Sequence, residues 1–521
     1  MSTEPDSRYY YLFKFALIIS LFVLGAGVFR FSIIRKSYFR EIATNNKVVE
    51  KNIPAVRGRI LDRKGRLIAK SWYQYYKMDG ENKIFNQLGD FNGNKFEGMD
   101  LAYEVKREYF YKASLGLVSG YVNDGGGKGG VEQFMEGLLK GTDGKRLIEI
   151  DATGKYIREL GRKEPVSGQD VELSIDAYWQ DKIYKLVEGK KVVVIMSEPK
   201  TGKIIVMVSA PSMDPNYFSF NRDNKIITEY LNDYDKLPML NRVINARYHP
   251  GSTFKPVLAS AGLESKVIDK DTLLEDTGVI KVGDYSYANW LWTKSHTTDG
   301  MLNIVKALQR SNDVYFYRLG EKLGVDRIKT WAEKFGYGNK TGVELPGELA
   351  GIVPDETWKK KTKGENWYLG NTYHLSIGQG DLSVTPLQVN QMTNIVANNG
   401  KKCQMSILKN SVVKCENIGI KQETIDIVKE GMGKACATGG TAWPLFNFKT
   451  KLACKTGTAE VGDGTKDTHA WLTAFAPADD PQISITVLVE RGGEGSDVAA
   501  PIVGDILKEW FEEPETVVPR K

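Results

Sequence analysis

Tyr248-His249-Pro250-Gly251-Ser252-Thr253-Phe254-Lys255-Pro256 breaks the chain at Pro250 and Gly251, then opens an apolar helical stretch over 252–265. A serine at such a start has two readings: an N-cap whose hydroxyl accepts a backbone N–H, or a nucleophile exposed at the positive helix end. Alone, the cap is the ordinary reading. Lys255 shifts the balance, because three residues on it places an amine one helical turn from the hydroxyl on the same face. Partial burial or cationic neighbours would lower its pKa enough for it to act as a base. Two more elements follow. Ser311-Asn312-Asp313 lies in a helical run over 304–319, and Lys455-Thr456-Gly457-Thr458 sits on a strand that begins Leu452-Ala453-Cys454. Together the three supply a nucleophile with its base, a hydroxyl and polar side chain to relay a proton to a leaving amine, and a cationic, hydroxyl-rich strand edge for an anionic peptide end. Gly457 lets a substrate backbone approach that strand closely.

Outward from this centre, the apolar runs at 192–196 and 204–208 flank Glu198-Pro199-Lys200-Thr201-Gly202, a β-hairpin with its turn. Downstream, 452–458, 470–475 and 483–489 are three more strand-like runs, and 500–511 reads as a closing helix. Five strands from the two ends of the region can pair into one antiparallel sheet. With helices over 252–265, 304–319 and 325–335, this predicts an α+β layered domain across 170–515. Upstream, Asp62-Arg63-Lys64-Gly65 is the turn of a strand-turn-strand unit carrying Ile60, Leu61, Leu67 and Ile68. A loop-rich, glycine-rich region follows to about Gly130, and a strand-like run at 146–150 completes a β-rich domain over 35–169; it leads into 171–176, past a domain boundary near Asp170.

The chain has 521 residues, 41% hydrophobic and 26% charged, enough for two or three folded units with sizeable cores. A net charge of +6, with lysines and arginines scattered among acids, reads as a solvated surface and not as a nucleic-acid footprint. Residues 15–29 carry no charge. Lys14 and Arg30 can snorkel, and Tyr9, Tyr10, Tyr11 and Phe13 resemble an aromatic belt, which extends a single transmembrane anchor to 9–34 after a short cytoplasmic tail at 1–8. Gly25-Ala26-Gly27 lacks the A-x-A pattern of a cleavage site, so the anchor is read as uncleaved. Arg30, Arg35, Lys36 and Arg40 outnumber Arg8 and Lys14, and by the positive-inside rule alone the bulk would face the cytoplasm. The chemistry overrides that rule here.

S-x-x-K, S-x-[ND] and K-T-G in this order form a penicillin-recognising set. With Arg57-Gly58-Arg59-Ile60-Leu61-Asp62-Arg63, Gly130-Val131-Glu132, Leu375-Ser376-Ile377-Gly378-Gln379-Gly380 and Ala459 after the third motif, the chain resembles the class B penicillin-binding proteins over most of its length. That likeness implies a peptidoglycan D,D-transpeptidase: a penicillin-binding transpeptidase domain, a pedestal at 35–169, inhibition by β-lactams, and stem peptides as substrate. By it, Ser252 is the acyl-enzyme nucleophile, Lys255 its general base, and Ser311 and Asp313 the relay pair. Lys455, Thr456 and Thr458 grip the substrate carboxylate, and the N–H groups of Ser252 and Thr458 form the oxyanion hole. Asp313, the Ala43-Thr44-Asn45-Asn46 approach, His469-Ala470-Trp471 and Ala499-Ala500-Pro501 suggest the elongation-type branch, with a role in cell shape. The absence of a polymerase domain implies a polytopic SEDS-type glycosyltransferase as partner. The likeness, with the single apolar segment, also implies single-pass attachment to the cell membrane with the catalytic domain extracytoplasmic.

Some elongation-type members hold a structural zinc, and by the resemblance the matching positions here are Asp276, Asn289, His296 and Asn312. Two amides in place of a carboxylate and a thiol make a poor zinc site, so no metal and no cofactor are expected. His249, His374 and His469 are read as structural. Trp290, Trp292 and Trp471 are read as core before groove. Cys403 and Cys415 flank Lys409-Asn410-Ser411, a plausible turn that could set them across a hairpin, leaving Cys436 and Cys454; the sequence fixes neither bridge. The competing functions are a class D-like β-lactamase or β-lactam sensor, a D,D-carboxypeptidase, and a wall-binding scaffold with a decayed site. Asp313 and the long pedestal weigh against the first, and three intact motifs against the last.

Overall fold

The apolar run at 192–196 has no polar face to offer solvent, so a strand built from it must be covered on both sides. A computed structural model, describing residues 7–45, 48–79, 82–85, 102–123, 125–150, 156–220 and 222–512, places it in the middle of a sheet. β1 (Val192–Ser197) and β2 (Ile204–Ala210) come from one end of the region. β3 (Ala453–Glu460), β4 (Thr468–Ala476) and β5 (Ile483–Val489) come from the other. The five pair into one antiparallel sheet, as the sequence predicts; their order is β2-β1-β5-β4-β3, with β3 at an edge.

The helices used below are α1 (Ala177–Leu186), α2 (Lys255–Glu264), α3 (Ile304–Arg310), α4 (Asp313–Leu323), α5 (Gln422–Ala435) and α6 (Ala500–Glu512). Successive side chains of β1 point to opposite faces, so the strand feeds two cores. Val193 and Ile195 share one with Phe254, Leu258, Leu308, Phe316 and Val428, drawn from α2 to α5 and the turn before α2. Val192, Val194 and Met196 share the other with Trp179, Ile183, Val503 and Leu507 of α1 and α6.

Two sequence expectations change. Residues 304–319 do not form one helix: α3 stops at Arg310, Ser311 takes a left-handed φ of 54°, and Asn312 caps α4 by accepting the Tyr315 N–H at 2.9 Å. Ser, Asn and Asp hydrogen-bond nearby backbone and so favour caps over helix interiors, a local preference that wins here over the apolar periodicity. Nor is the described part of the segment after Gly65 loop-rich. Strand Leu67–Asp79 pairs with Ala102–Tyr109 and with Asn82–Phe85, and helix Ala113–Ser119 follows. The aromatic and β-branched content of 67–76 fits a strand, and the glycines further on had obscured it.

The described chain falls into two compact units. One contains residues 7–45, 48–56, 141–150 and 156–168; the other contains the rest. In the first, helix Ser7–Phe29 continues through a π-helical turn, Arg30–Ile34, and Arg8–Ile34 is a 27-residue stretch long and apolar enough to cross a membrane. Strand Val48–Ile53 then pairs with Gly144–Ile150, which pairs with Tyr156–Lys163. In the second, the two pedestal motifs of the sequence meet. Buried Glu132 accepts from Arg57 Nε at 2.5 Å, Arg107 Nε at 2.8 Å and the Tyr109 hydroxyl at 3.1 Å. Asn46, Asp124 and the terminal stretches 1–6 and 513–521 lie outside the described residues.

Candidate active site

Pro250 and Gly251 end one segment and start a single 3₁₀ turn, Gly251–Phe254, that runs into α2. Within that turn Ser252 alone is part-exposed, and among the described residues its hydroxyl has no hydrogen-bond partner. Its N–H lies in the first turn of a helix, where no intrahelical acceptor exists. The turn is layered between two backbones. Gly251 donates its N–H to Gly378 O at 2.9 Å, and a Cβ on Gly378, whose φ is +76°, would lie 2.1 Å from Gly251 O. On the other side a Cβ on Gly251, with φ +54°, would meet Thr458 O at 2.9 Å. Only glycines permit this approach, which sets Ser252 beside the edge strand β3.

Lys255, the first residue of α2, is fully buried. Its Nζ donates to Ser311 O at 2.7 Å, to Ser311 Oγ at 3.3 Å and to Asp313 Oδ1 at 2.6 Å. The break between α3 and α4 makes this possible, since it turns the Ser311 carbonyl, the Ser311 hydroxyl and the Asp313 carboxylate toward one amine. From β3, buried Lys455 sends its Nζ to the same Ser311 Oγ at 2.8 Å and to Thr456 O at 3.0 Å. The Ser311 hydroxyl therefore sits between two lysine amines. Burial pushes Lys255 below its ordinary pKa, against the attraction of Asp313. Lys455 falls well below its own, through burial first and then repulsion by Lys255, with Asp313 opposing. Two amines with depressed pKa values joined by one hydroxyl can pass protons between them, and Ser252 stands in the turn that leads into the first of them.

The remaining third-motif residues separate. Thr458 is exposed on the edge, with its Oγ1 accepting from the Gly495 N–H at 3.4 Å. Thr456 is buried, and its hydroxyl shares a 2.7 Å hydrogen bond with Thr441. At Gly457 a Cβ would lie 3.0 Å from Thr253 Cγ2, 3.1 Å from Pro250 O and 3.1 Å from Trp471 Cβ, so the Ser252 turn and the neighbouring strand both crowd it. Sequence reasoning missed Thr441, as it missed Gln379, whose Nε2 donates to Thr458 O at 3.4 Å. Thr441 carries no motif. Gln379 stood inside a stretch singled out only for its likeness to a family.

Trp471 is fully buried and donates its indole N–H to His249 O at 3.1 Å. His469 accepts the Arg491 N–H on Nδ1 at 3.2 Å, and His249 Nδ1 lies 2.6 Å from Leu382 O. Disulfides join Cys403 to Cys415 across paired strands and Cys436 to Cys454. The second ties the end of α5 to the residue before Lys455. The four positions considered for zinc do not fit it. Asn289 and Asn312 each donate an amide N–H to Asp276 Oδ2 at 2.8 Å, turning hydrogen toward the carboxylate where a cation would have to sit, and His296 is exposed.

Residues 192–508 match the model of the penicillin binding protein transpeptidase domain, and residues 83–173 that of the penicillin-binding protein dimerisation domain. The peptidoglycan D,D-transpeptidase MrdA of Acinetobacter baumannii is 32% identical over 467 residues, covering 80% of this chain and 68% of that protein. Pseudomonas aeruginosa PBP2, solved in complex with WCK 5153, superposes with a TM-score of 0.75 at 31% identity, over 89% of this chain and 97% of that one. A chain from a structure described as the structural coordination of polymerization and crosslinking by a peptidoglycan synthase complex gives a TM-score of 0.79 at 26% identity, over 98% and 100%.

Proposed function

This chain belongs to the penicillin-binding protein transpeptidase family, and from that premise we propose that it cross-links peptidoglycan as a D,D-transpeptidase whose acyl-enzyme forms on Ser252. The observation that carries the reading is the Ser311 hydroxyl held between Lys255 and Lys455, with the part-exposed Ser252 in the turn that leads into Lys255. Neutral Lys255 takes the Ser252 proton as Oγ attacks the penultimate D-alanine carbonyl. The N–H groups of Ser252 and Thr458 hold the oxyanion. As the amide C–N bond breaks, a proton passes through Ser311 to the departing D-alanine amine, leaving an ester on Ser252. An acceptor amine then attacks that ester, gives up a proton to Lys255, and frees the serine hydroxyl. Lys455 and Thr458 face the terminal carboxylate, while Thr456 supports the strand through Thr441. Asp313 pairs with Lys255 and orients it.

In the same reading, residues 9–34 anchor the protein in the cell membrane, 35–169 serve as pedestal, and the transpeptidase region over 170–515 works outside the cytoplasm. The glycan strands come from a polytopic SEDS-type glycosyltransferase. A structure of a peptidoglycan synthase complex among the similar chains supports the pairing of cross-linking with polymerisation. Intact-protein mass spectrometry after a penicillin chase tests the nucleophile. The expected result is a lasting adduct on the wild type, none on Ser252→Ala, and labelling slowed about 10²–10⁴-fold in Lys255→Ala, the usual cost of losing a general base. Adduct on Ser252→Ala, or wild-type adduct gone within seconds, would overturn it. Given a pentapeptide donor and an acceptor amine, the wild type should form cross-linked product, whereas release of D-alanine alone would indicate a carboxypeptidase.

A further inference from the structure

Asp276 is buried, and among the described residues no lysine or arginine pairs with it. Its carboxylate is instead filled by N–H groups. Oδ2 accepts from Asn289 Nδ2 at 2.8 Å, from Asn312 Nδ2 at 2.8 Å and from the Asp299 N–H at 3.0 Å, and Oδ1 accepts from the Gly278 N–H at 2.9 Å. Both asparagines use their other end on the start of α4. Asn289 Oδ1 accepts the Asp313 N–H at 3.1 Å, and Asn312 Oδ1 caps the helix through the Tyr315 N–H at 2.9 Å. A third contact comes from the residue after Asn289, because the Trp290 N–H donates to Asp313 Oδ2 at 3.0 Å. The other oxygen, Oδ1, is thereby left aimed at Lys255 Nζ, 2.6 Å away.

We infer that Asp276 is a positioning residue for acylation, acting through Asn289 and Asn312 to fix where the Asp313 carboxylate meets Lys255. An ionised carboxylate only accepts hydrogen bonds, so it dictates which way both amides face, with nitrogen toward 276 and oxygen toward the backbone N–H groups of Asp313 and Tyr315. Bonds to a charged acceptor are also about twice as strong as neutral ones. Without that charge Asn289 loses the carboxylate that orients it and Asn312 is left with Asp299 alone, and the Asn289–Asp313 link slackens. The buried anion thus does by hydrogen bonding what a coordinated cation would do by ligation, which is to clamp three separate chain segments beneath the second motif. Arg310 extends the clamp by donating to Asp299 Oδ1 at 2.9 Å, while Asn312 Nδ2 also lies 3.2 Å from Asp299 Oδ2.

The inference rests on the role proposed above for Asp313, and a double-mutant cycle separates the two. Penicillin acylation is measured by stopped flow on the full chain for wild type, Asp276→Asn, Asp313→Asn and the double variant, resolving the acylation rate constant from the affinity of the non-covalent complex. Asp276→Asn should slow acylation about 10- to 100-fold, the scale set by an ångström of misplacement. Non-covalent affinity should hold, and adding Asp276→Asn to Asp313→Asn should cost less than about twofold more. Asn289→Ala cuts the link while keeping the Asp276 charge. It should behave alike, and it carries the test should Asp276→Asn fold poorly. Equal factors in both backgrounds, or wild-type acylation in Asp276→Asn alongside a slow Asp313→Asn, would overturn the inference. Wild-type acylation in Asp313→Asn would instead remove the Asp313 role and the inference with it.

Discussion

Lys255 is placed to be both an ion-pair partner and a base, and the two demands pull its pKa in opposite directions. Burial favours the neutral amine and outweighs the attraction of Asp313, so the pKa is lowered overall. The carboxylate still raises it relative to a site with burial alone. If neutral Lys255 takes the serine proton, acylation should rise with pH along a limb that reports this amine, below the ordinary lysine range. Replacing Asp313 by Asn removes the opposing charge, so the lysine pKa falls further and the limb should move to lower pH. The maximal rate should fall as well, because the amine is no longer oriented. Rates of penicillin acylation measured from acid to alkaline pH check both signs. A limb that stays in place, or moves to higher pH in Asp313→Asn, would mean that a group whose pKa Asp313 does not raise governs it, which sets aside Lys255 and Lys455 alike, since Asp313 opposes the depression of both.

The break between α3 and α4 is where the backbone makes the site. Ser311 holds a left-handed φ of 54°, a conformation that costs most residues about 1–2 kcal/mol and glycine little. Its hydroxyl is what the two lysines share. Ser311→Gly and Ser311→Ala therefore separate the two contributions. Both should lose most of the acylation rate, while thermal or urea unfolding should find the glycine variant about 1 kcal/mol more stable than the alanine one. If glycine also retained near-normal acylation, the carbonyl of Ser311 and not its hydroxyl would be the functional group. The same element shows where sequence reading succeeds and fails. The strands of the large sheet were legible because buried runs such as 192–196 are apolar without interruption. The helix break was not, because 304–319 keeps an apolar period through Ser311 and the cap signal of Ser-Asn-Asp competes with it. The three motifs were legible as chemistry. Family likeness alone grouped Asp276 with Asn289 and Asn312, as positions for a metal; the hydrogen bonds that join 276, 289, 299 and 312 were not legible, since they have no period and their residue types are ordinary in loops.

For the whole molecule, charge and chemistry disagree about which side of the membrane holds the catalytic region. Arg30, Arg35, Lys36 and Arg40 follow the apolar helix, against Arg8 and Lys14 before or within it, and the positive-inside rule puts that heavier side in the cytoplasm. Against this stands the cysteine chemistry, in which all four cysteines are paired in disulfides and none is free. Disulfides persist in oxidising compartments and are rare in the cytosol, and one of these two adjoins Lys455. The substrate assigned to the site lies outside the cytoplasm too. Positive-inside is a bias set by loop charge, and long translocated domains largely escape it, so the weight falls on the disulfides and the substrate. An engineered cysteine in place of Gly125 should react with a thiol probe that cannot cross the membrane, in intact cells or in cells made permeable only at the outer envelope. Labelling should match that seen after full permeabilisation. The native pairs, already oxidised, should stay silent in both. Labelling seen only after the cytoplasmic membrane is opened would place the catalytic region inside, and the anchor charges would then have been the better guide.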